Sequence, residues 1–197
     1  MKKIILILLT LISMLSFSQS RDSIYIKSDI FEIVYSELLE QPKLVRYTIP
    51  CGGSVNKFSR KGMDFYKCDS IKTSDNNDYV SNIWDKGHLA PAASFNCDLL
   101  SLKSTFTYLN CSLQNQYLNR GVWKTLEAYE RKLADKGYLV EVEIRCVFTE
   151  SSKVLETGAT VPDGFLKTIN YDGRSISFFF KNEKPLYKDF NKYKIEN

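Results

Sequence analysis

Histidine is nearly absent: the 197-residue chain has one, His88. Any chemistry that needs an imidazole must therefore use that residue. The five cysteines, Cys51, Cys68, Cys97, Cys111 and Cys146, form no C-x-x-C pair. The spacing from His88 to Cys97 to Cys111 fits no zinc pattern, which argues against a structural zinc site. No local feature marks a thiol as activated, so a Cys/His nucleophilic dyad is set aside too. There is no internal repeat, low-complexity tract or Pro/Gly/Ser-rich linker, and one domain is expected. A large charge imbalance is missing as well, with 27 basic against 23 acidic residues. Bulk charge thus argues only weakly for a polyanionic partner.

The first eighteen residues, MKKIILILLTLISMLSFS, have two lysines, an apolar run and small residues at Ser16 and Ser18. This is the pattern of a secretory signal peptide, with cleavage expected after Ser18. The run is shorter than the ~20 apolar residues of a membrane span, and no second one follows, so no stable membrane insertion is expected. Residues 19–197 then form the single domain, exported to a periplasm or secreted. Export permits disulfides. Five is odd, so at least one thiol stays unpaired within the chain. Cys51 with Cys68 is the natural pair by neighbourhood, and Cys111 is either a packed thiol or half of a disulfide with Cys97 or Cys146.

Short strands are read between Asp22 and Pro50, in "IYI" and "LVRYTI", with a break around Glu40-Gln41-Pro42. Gly52-Gly53 and Thr73 to Asp78 read as loops. Tyr138 to Phe148 alternates, with Val140, Val142, Ile144, Cys146 and Phe148 on one side and Glu141, Glu143 and Arg145 on the other, which predicts a half-buried strand. "FLKTI" and "SISFFF" flank Asp172-Gly173, a hairpin signal. The clearest helix is Gln116 to Lys136, capped by Gly137. Val122, Leu126, Tyr129 and Leu133 recur at helical spacing and predict its buried face. Asn119, Trp123 and Glu127 recur every four residues and drift only ~80° over two turns, so they share one flank. On packing alone, Trp123 is a core residue and the other two are solvated.

Two segments change that reading: "DKGHLAPA" at Asp85 to Ala92 and "FTYLNCSLQNQYLNRGVWKTLE" at Phe106 to Glu127. Together they resemble the ββα-metal DNA/RNA non-specific endonucleases, the family of Serratia nuclease and endonuclease G. The family's D-R-G-H reads D-K-G-H here, its N-x-x-P-Q reads N-C-S-L-Q, and its N…W…L-E is met by Asn119, Trp123, Leu126 and Glu127. The likeness runs from about Gln41 to Lys167, including "VPDGFLK" at Val161 to Lys167. Two motifs in order, the second on an independently predicted helix, are far more specific than one.

The resemblance implies an α+β ββα-metal (His-Me finger) fold, with a central antiparallel sheet and a long metal-binding helix. It implies an exported, metal-dependent endonuclease acting on DNA and RNA with little sequence preference. Phosphodiester hydrolysis needs a water nucleophile, charge neutralisation on the phosphoryl oxygens and a stabilised leaving oxygen. An imidazole with an unperturbed pKa of ~6.5 suits the first need, and His88 is assigned as general base. Asn119 is implied as the single direct ligand of a divalent metal, Mg²⁺ or alternatively Mn²⁺, a cation that keeps several waters. Glu127 would orient a water on that metal, while Asn110 and Gln114 support the site by hydrogen bonds.

Lys86 stands where the family has arginine and keeps the charge without the bidentate fork. Leu113 replaces the family's proline, and Ser94 a frequent acidic residue. Gly87 either lets backbone pass close to substrate or serves a tight turn, and Asp85 supports the motif by capping or orienting it. The rival reading is a degenerate member that binds nucleic acid or a protein partner without turnover. An inhibitor protein is compatible with either reading, but no residue reports one.

Overall fold

The computed structural model describes residues 21–53 and 57–196. The leader and its cleavage point lie outside the described residues. Seven strands form one antiparallel sheet: β1 (Ile24–Lys27), β2 (Phe31–Ser36), β3 (Gln41–Thr48), β6 (Glu141–Val147), β7 (Gly164–Tyr171), β8 (Arg174–Lys181) and β9 (Lys194–Ile195), in that spatial order. The long insertion between β3 and β6 holds β4 (Trp84–His88), the short helix α1 (Leu99–Ser104), β5 (Cys111–Asn115) and the main helical segment.

Alternation sets the sheet. In β6, Val142, Ile144 and Cys146 are buried while Glu141 and Arg145 are exposed, as period two requires. The β7–β8 turn has positive φ at Asp172 (51°) and Gly173 (69°). Two left-handed residues match the twist of a two-residue hairpin, which is why Asp-Gly signals it. The break read at Glu40-Gln41-Pro42 falls earlier: β3 already begins at Gln41, and Pro42 faces Tyr35 at a register shift, where a missing N–H is tolerated.

The helical segment is not one straight helix. It runs as α2 (Gln116–Leu118), a wide π-type turn (Asn119–Trp123) and α3 (Lys124–Asp135). Gly121 is non-helical at φ −102°, ψ −117°. Gly137 ends the segment at φ 86°, as expected. Leu118, Val122, Trp123, Leu126 and Leu133 pack on the sheet. Trp123 lies 5.4 Å from Phe165 and 5.7 Å from Phe180, ring centre to ring centre. Tyr129, expected on the buried face, is only partly buried; the fully buried neighbour is Glu130.

β4 and β5 pair as a separate antiparallel ribbon, and the helical segment follows it directly, giving a ββα unit. Side-chain amides rivet this ribbon to the main sheet. Gln41 Oε1 accepts from Ser112 Oγ (2.9 Å) and the Leu113 N–H (3.0 Å). Asn182 Oδ1 accepts from the Asn115 N–H (2.7 Å), and Asn182 Nδ2 donates to the Leu113 carbonyl (2.8 Å).

The cysteine pairing expected from neighbourhood is wrong. Cys51 is bonded to Cys97, and Cys68, Cys111 and Cys146 are free thiols. Cys111 is completely buried, its Sγ 3.2 Å from the Tyr79 hydroxyl, and burial pushes its thiol up to about 12, so it is inert.

Candidate active site

An open cleft of about 790 Å³ separates the β4–β5 ribbon from the helical segment, and His88, Lys86, Asn119 and Glu127 all line it. The fold therefore brings together the four side chains that the sequence placed at the reaction centre. His88 is the last residue of β4. The buried Asn110 holds the chain immediately beyond it. Asn110 Oδ1 accepts from the Ala90 N–H (2.8 Å), and its Nδ2 donates to the Ala90 (2.9 Å) and Thr105 (3.0 Å) carbonyls. Three of the four polar valences of one amide thus fix the backbone beyond the imidazole.

The His88 ring sits between Phe65 (4.5 Å) and Phe106 (4.7 Å). Its Nε2 is buried without a hydrogen-bond partner among the described residues. Burial first, and the nearby Arg60 guanidinium second, push its pKa down to about 3. The imidazole is neutral across the physiological range and keeps a lone pair available.

Asp85 orients the amide opposite. Its Oδ2 accepts from Asn119 Nδ2 (2.9 Å) and Arg120 Nε (2.8 Å), and its Oδ1 pairs with Arg120 Nη2 at 2.5 Å. With the nitrogen end of Asn119 bound, its carbonyl Oδ1 is left without a protein partner among the described residues. Asn119 and Glu127 both line the cleft, whereas Trp123 between them is fully buried. Burial pushes the Glu127 carboxyl up to about 7, against the pull of Lys167.

Lys86 is already engaged. Its Nζ donates to Asp64 Oδ1 (2.7 Å) and Asn76 Oδ1 (2.5 Å). Burial works against the ammonium, but Asp64 and Tyr108 together outweigh it and its pKa is raised. Gln114 is fully buried and its amide makes no hydrogen bond among the described residues. It acts by shape: a Cβ on Gly87 would lie 2.5 Å from Gln114 Oε1. Gly87 is thus a buried strand position fitted against β5, rather than part of a tight turn. Leu113 packs in a small cluster with Ala159 and Val161, and Ser94 is completely buried.

Sequence reasoning missed the cations on the other walls. Arg60, Lys124 and Arg131 line the same cleft. Arg60 and Lys124 have no acidic partner within salt-bridge distance among the described residues, and no periodic pattern around "FSRKGMD" marks Arg60. It also missed the pair beneath Glu127. Lys167 and Glu130, both fully buried, meet at 2.5 Å, with Lys167 Nζ 4.4 Å from the Trp123 ring centre and the Tyr47 hydroxyl donating to Glu130 at 3.1 Å. That signal was legible, because Lys167 occupies an inward position between Phe165 and Ile169 in β7.

Comparison with known proteins gives concordant results. A family model described as DNA/RNA non-specific endonuclease matches residues 12–195. The mitochondrial nuclease EXOG of Danio rerio is 30% identical over 105 residues, 52% of this chain and 31% of that protein. Mitochondrial endonuclease G of Bos taurus is 35% identical over 78 residues, 38% of this chain and 26% of that protein. The matched stretches thus span less than a third of these curated relatives. A solved complex of EndoG with EndoGI superposes with a TM-score of 0.73 at 20% identity, covering 87% of this chain and 80% of that one.

Proposed function

The chain belongs to the DNA/RNA non-specific endonuclease family, and we propose that it is a divalent-metal-dependent endonuclease hydrolysing phosphodiester bonds of DNA and RNA with little sequence preference. One observation carries the reading: a neutral imidazole, a carboxamide oxygen kept free by Asp85 and the half-buried carboxyl of Glu127 line one cleft that also holds cations.

His88 takes the proton of the attacking water. Its low basicity in the free protein is lifted when a phosphodiester anion enters beside it, because a nearby negative charge favours the imidazolium. Arg60, Lys124 and Arg131 supply charge to the phosphoryl oxygens, and Lys86 adds a cation shared with Asp64. The donor set fits a hard divalent cation, Mg²⁺ or Mn²⁺: Asn119 Oδ1 would hold it, and Glu127 would accept hydrogen bonds from water around it. When bound, that ion stabilises the negative charge that develops on the leaving oxygen. Contacts made mainly to the backbone account for weak sequence preference.

The N-terminal segment and the Cys51–Cys97 disulfide support an exported chain, in a periplasm or outside the cell, since reducing compartments do not keep such bonds. The engagement of Lys86 by Asp64 favours one second reading, a member that binds nucleic acid without turnover.

Incubating the purified protein with plasmid and RNA, with and without chelator, separates the two. The nuclease reading expects degradation that chelator and physiological salt suppress, and that His88→Ala or Asn119→Ala lowers by about 10²–10⁴-fold. Retention of nucleic acid without any degradation at any divalent ion concentration would leave the binding reading.

A further inference from the structure

One wall of the cleft is unlike the rest. Phe58, Met63, Phe65 and Phe106 make part of its lining apolar, and the last three pack with Ala92 and Leu102 in a satellite cluster under the cleft. Phe58 stands apart from that cluster. Its side chain is 48% exposed, and its ring meets no other ring among the described residues. Nevertheless it is held in place. The Phe58 N–H donates to the Asn96 carbonyl at 2.8 Å, Asn96 precedes the disulfide-bonded Cys97, and Lys57 Nζ donates to the Gly52 carbonyl at 2.7 Å. A large ring is kept in water, at the edge of a cleft with free cations, by a fixed backbone.

Building on the nuclease reading, we propose that Phe58 is a stacking platform for an unpaired nucleobase next to the scissile phosphate, so that the cleft selects single-stranded nucleic acid over duplex. Phe58 and Arg60 are two residues apart on the same segment and line the same cleft. The segment can therefore offer a π face to a base and a guanidinium to the adjoining phosphate at once. A duplex buries its base faces in its own stack and presents base edges, sugar and phosphate outward, so it has no face to set on the ring. A single strand does, and stacking tolerates any base. This preserves weak sequence preference while selecting strandedness. Single-stranded DNA and RNA share the chemistry, and the assay includes both.

The test has two arms using the full mature chain. In the first, oligonucleotides carrying 2-aminopurine, as single-stranded DNA, single-stranded RNA and blunt duplex, are titrated with protein in chelator, where nothing is cut. Fluorescence quenching is expected with both single strands, retained by Phe58→Trp and lost in Phe58→Ala and in Phe58→Leu, which keeps apolar bulk without a π face. In the second arm, with Mg²⁺, Phe58→Ala is expected to raise KM for single strands about 5- to 100-fold, with kcat within about twofold and duplex cleavage little altered. An unchanged melting temperature confirms that the half-exposed substitution leaves the fold intact. Quenching indifferent to Phe58, or equal loss on single strand and duplex, overturns the proposal. Absence of cleavage by the unaltered protein, with Phe58-dependent quenching intact, would instead overturn the nuclease reading and leave the base platform standing.

Discussion

A carboxamide has a donor end and an acceptor end, and in Asn119 the choice between them is made by Asp85. The carboxylate can only accept, so the nitrogen turns toward it and the oxygen turns away. Asp85→Asn removes that preference and also releases Arg120. Affinity for Mg²⁺, read by calorimetric titration, is expected to fall about 10- to 100-fold with the melting temperature nearly unchanged; unaltered affinity would remove Asp85 from the site. Asp85 and Asn119 were both legible in the motifs, but their contact was not, because it joins residues 34 positions apart. The titrating pair makes a second prediction at this scale. Glu127, raised to about 7 from an ordinary 4.5, holds a proton when folded that the unfolded chain has lost. Its contribution to stability therefore falls as pH rises from about 4.5 to about 7. His88, lowered from 6.5 to about 3, refuses a proton that the unfolded chain accepts. Its contribution rises with pH through that window and is fully present above about 6.5. In chelator, urea midpoints between pH 5 and 7 are expected to climb more steeply in Glu127→Gln than in the unaltered protein, and less steeply in His88→Ala. The same pH slope in all three proteins would contradict both assignments.

Elements were legible where a period repeats and illegible where one residue breaks it. The strands followed alternation, and the helical segment followed its apolar spacing and Gly137. The wide turn at Gly121 did not show, because a single glycine is tolerated within a helical pattern, yet it accompanies a segment that sends Trp123 to the sheet while Asn119 and Glu127 line the cleft. α3 and β7 are joined beneath that cleft by Glu130 and Lys167. Each is costly to bury alone, and each is tolerable because of the other and because Tyr47 and the Trp123 ring complete the surroundings. Lys167→Met strands a carboxylate in the core and is expected to cost about 3–5 kcal/mol in urea unfolding. The double variant Glu130→Gln/Lys167→Met should recover most of that loss. If the double variant were as unstable as the sum of the two singles, the pair would not be coupled.

At the scale of the whole molecule, the groups proposed for catalysis belong to the ββα unit, while Arg60 and Phe58 belong to a segment with little regular structure. The Phe58–Asn96 backbone hydrogen bond and the Cys51–Cys97 bond are among the attachments that fix that segment's approach. Sequence neighbourhood pointed Cys51 to Cys68, because nothing in a one-dimensional chain reports that the strand leaving β3 passes the turn after the Ala92–Ser94 helical turn. The true bond spans a sequence separation of 46 residues. A cross-link of that length restricts the unfolded chain by about 2–4 kcal/mol. It also anchors the chain next to Asn96, the residue that holds Phe58 at the cleft edge, so its loss should act on substrate binding as well as on stability. Cys51→Ala/Cys97→Ala is expected to melt several degrees lower and, below that transition, to show a raised KM for nucleic acid with kcat nearly kept, because His88, Asn119 and Glu127 are held by other contacts. Cys68→Ala, which removes a free thiol, should change neither. Equal losses of kcat and of KM-dependent rate in the double alanine variant would mean that the bond supports the reaction centre itself, and not the Phe58–Arg60 segment at the cleft edge.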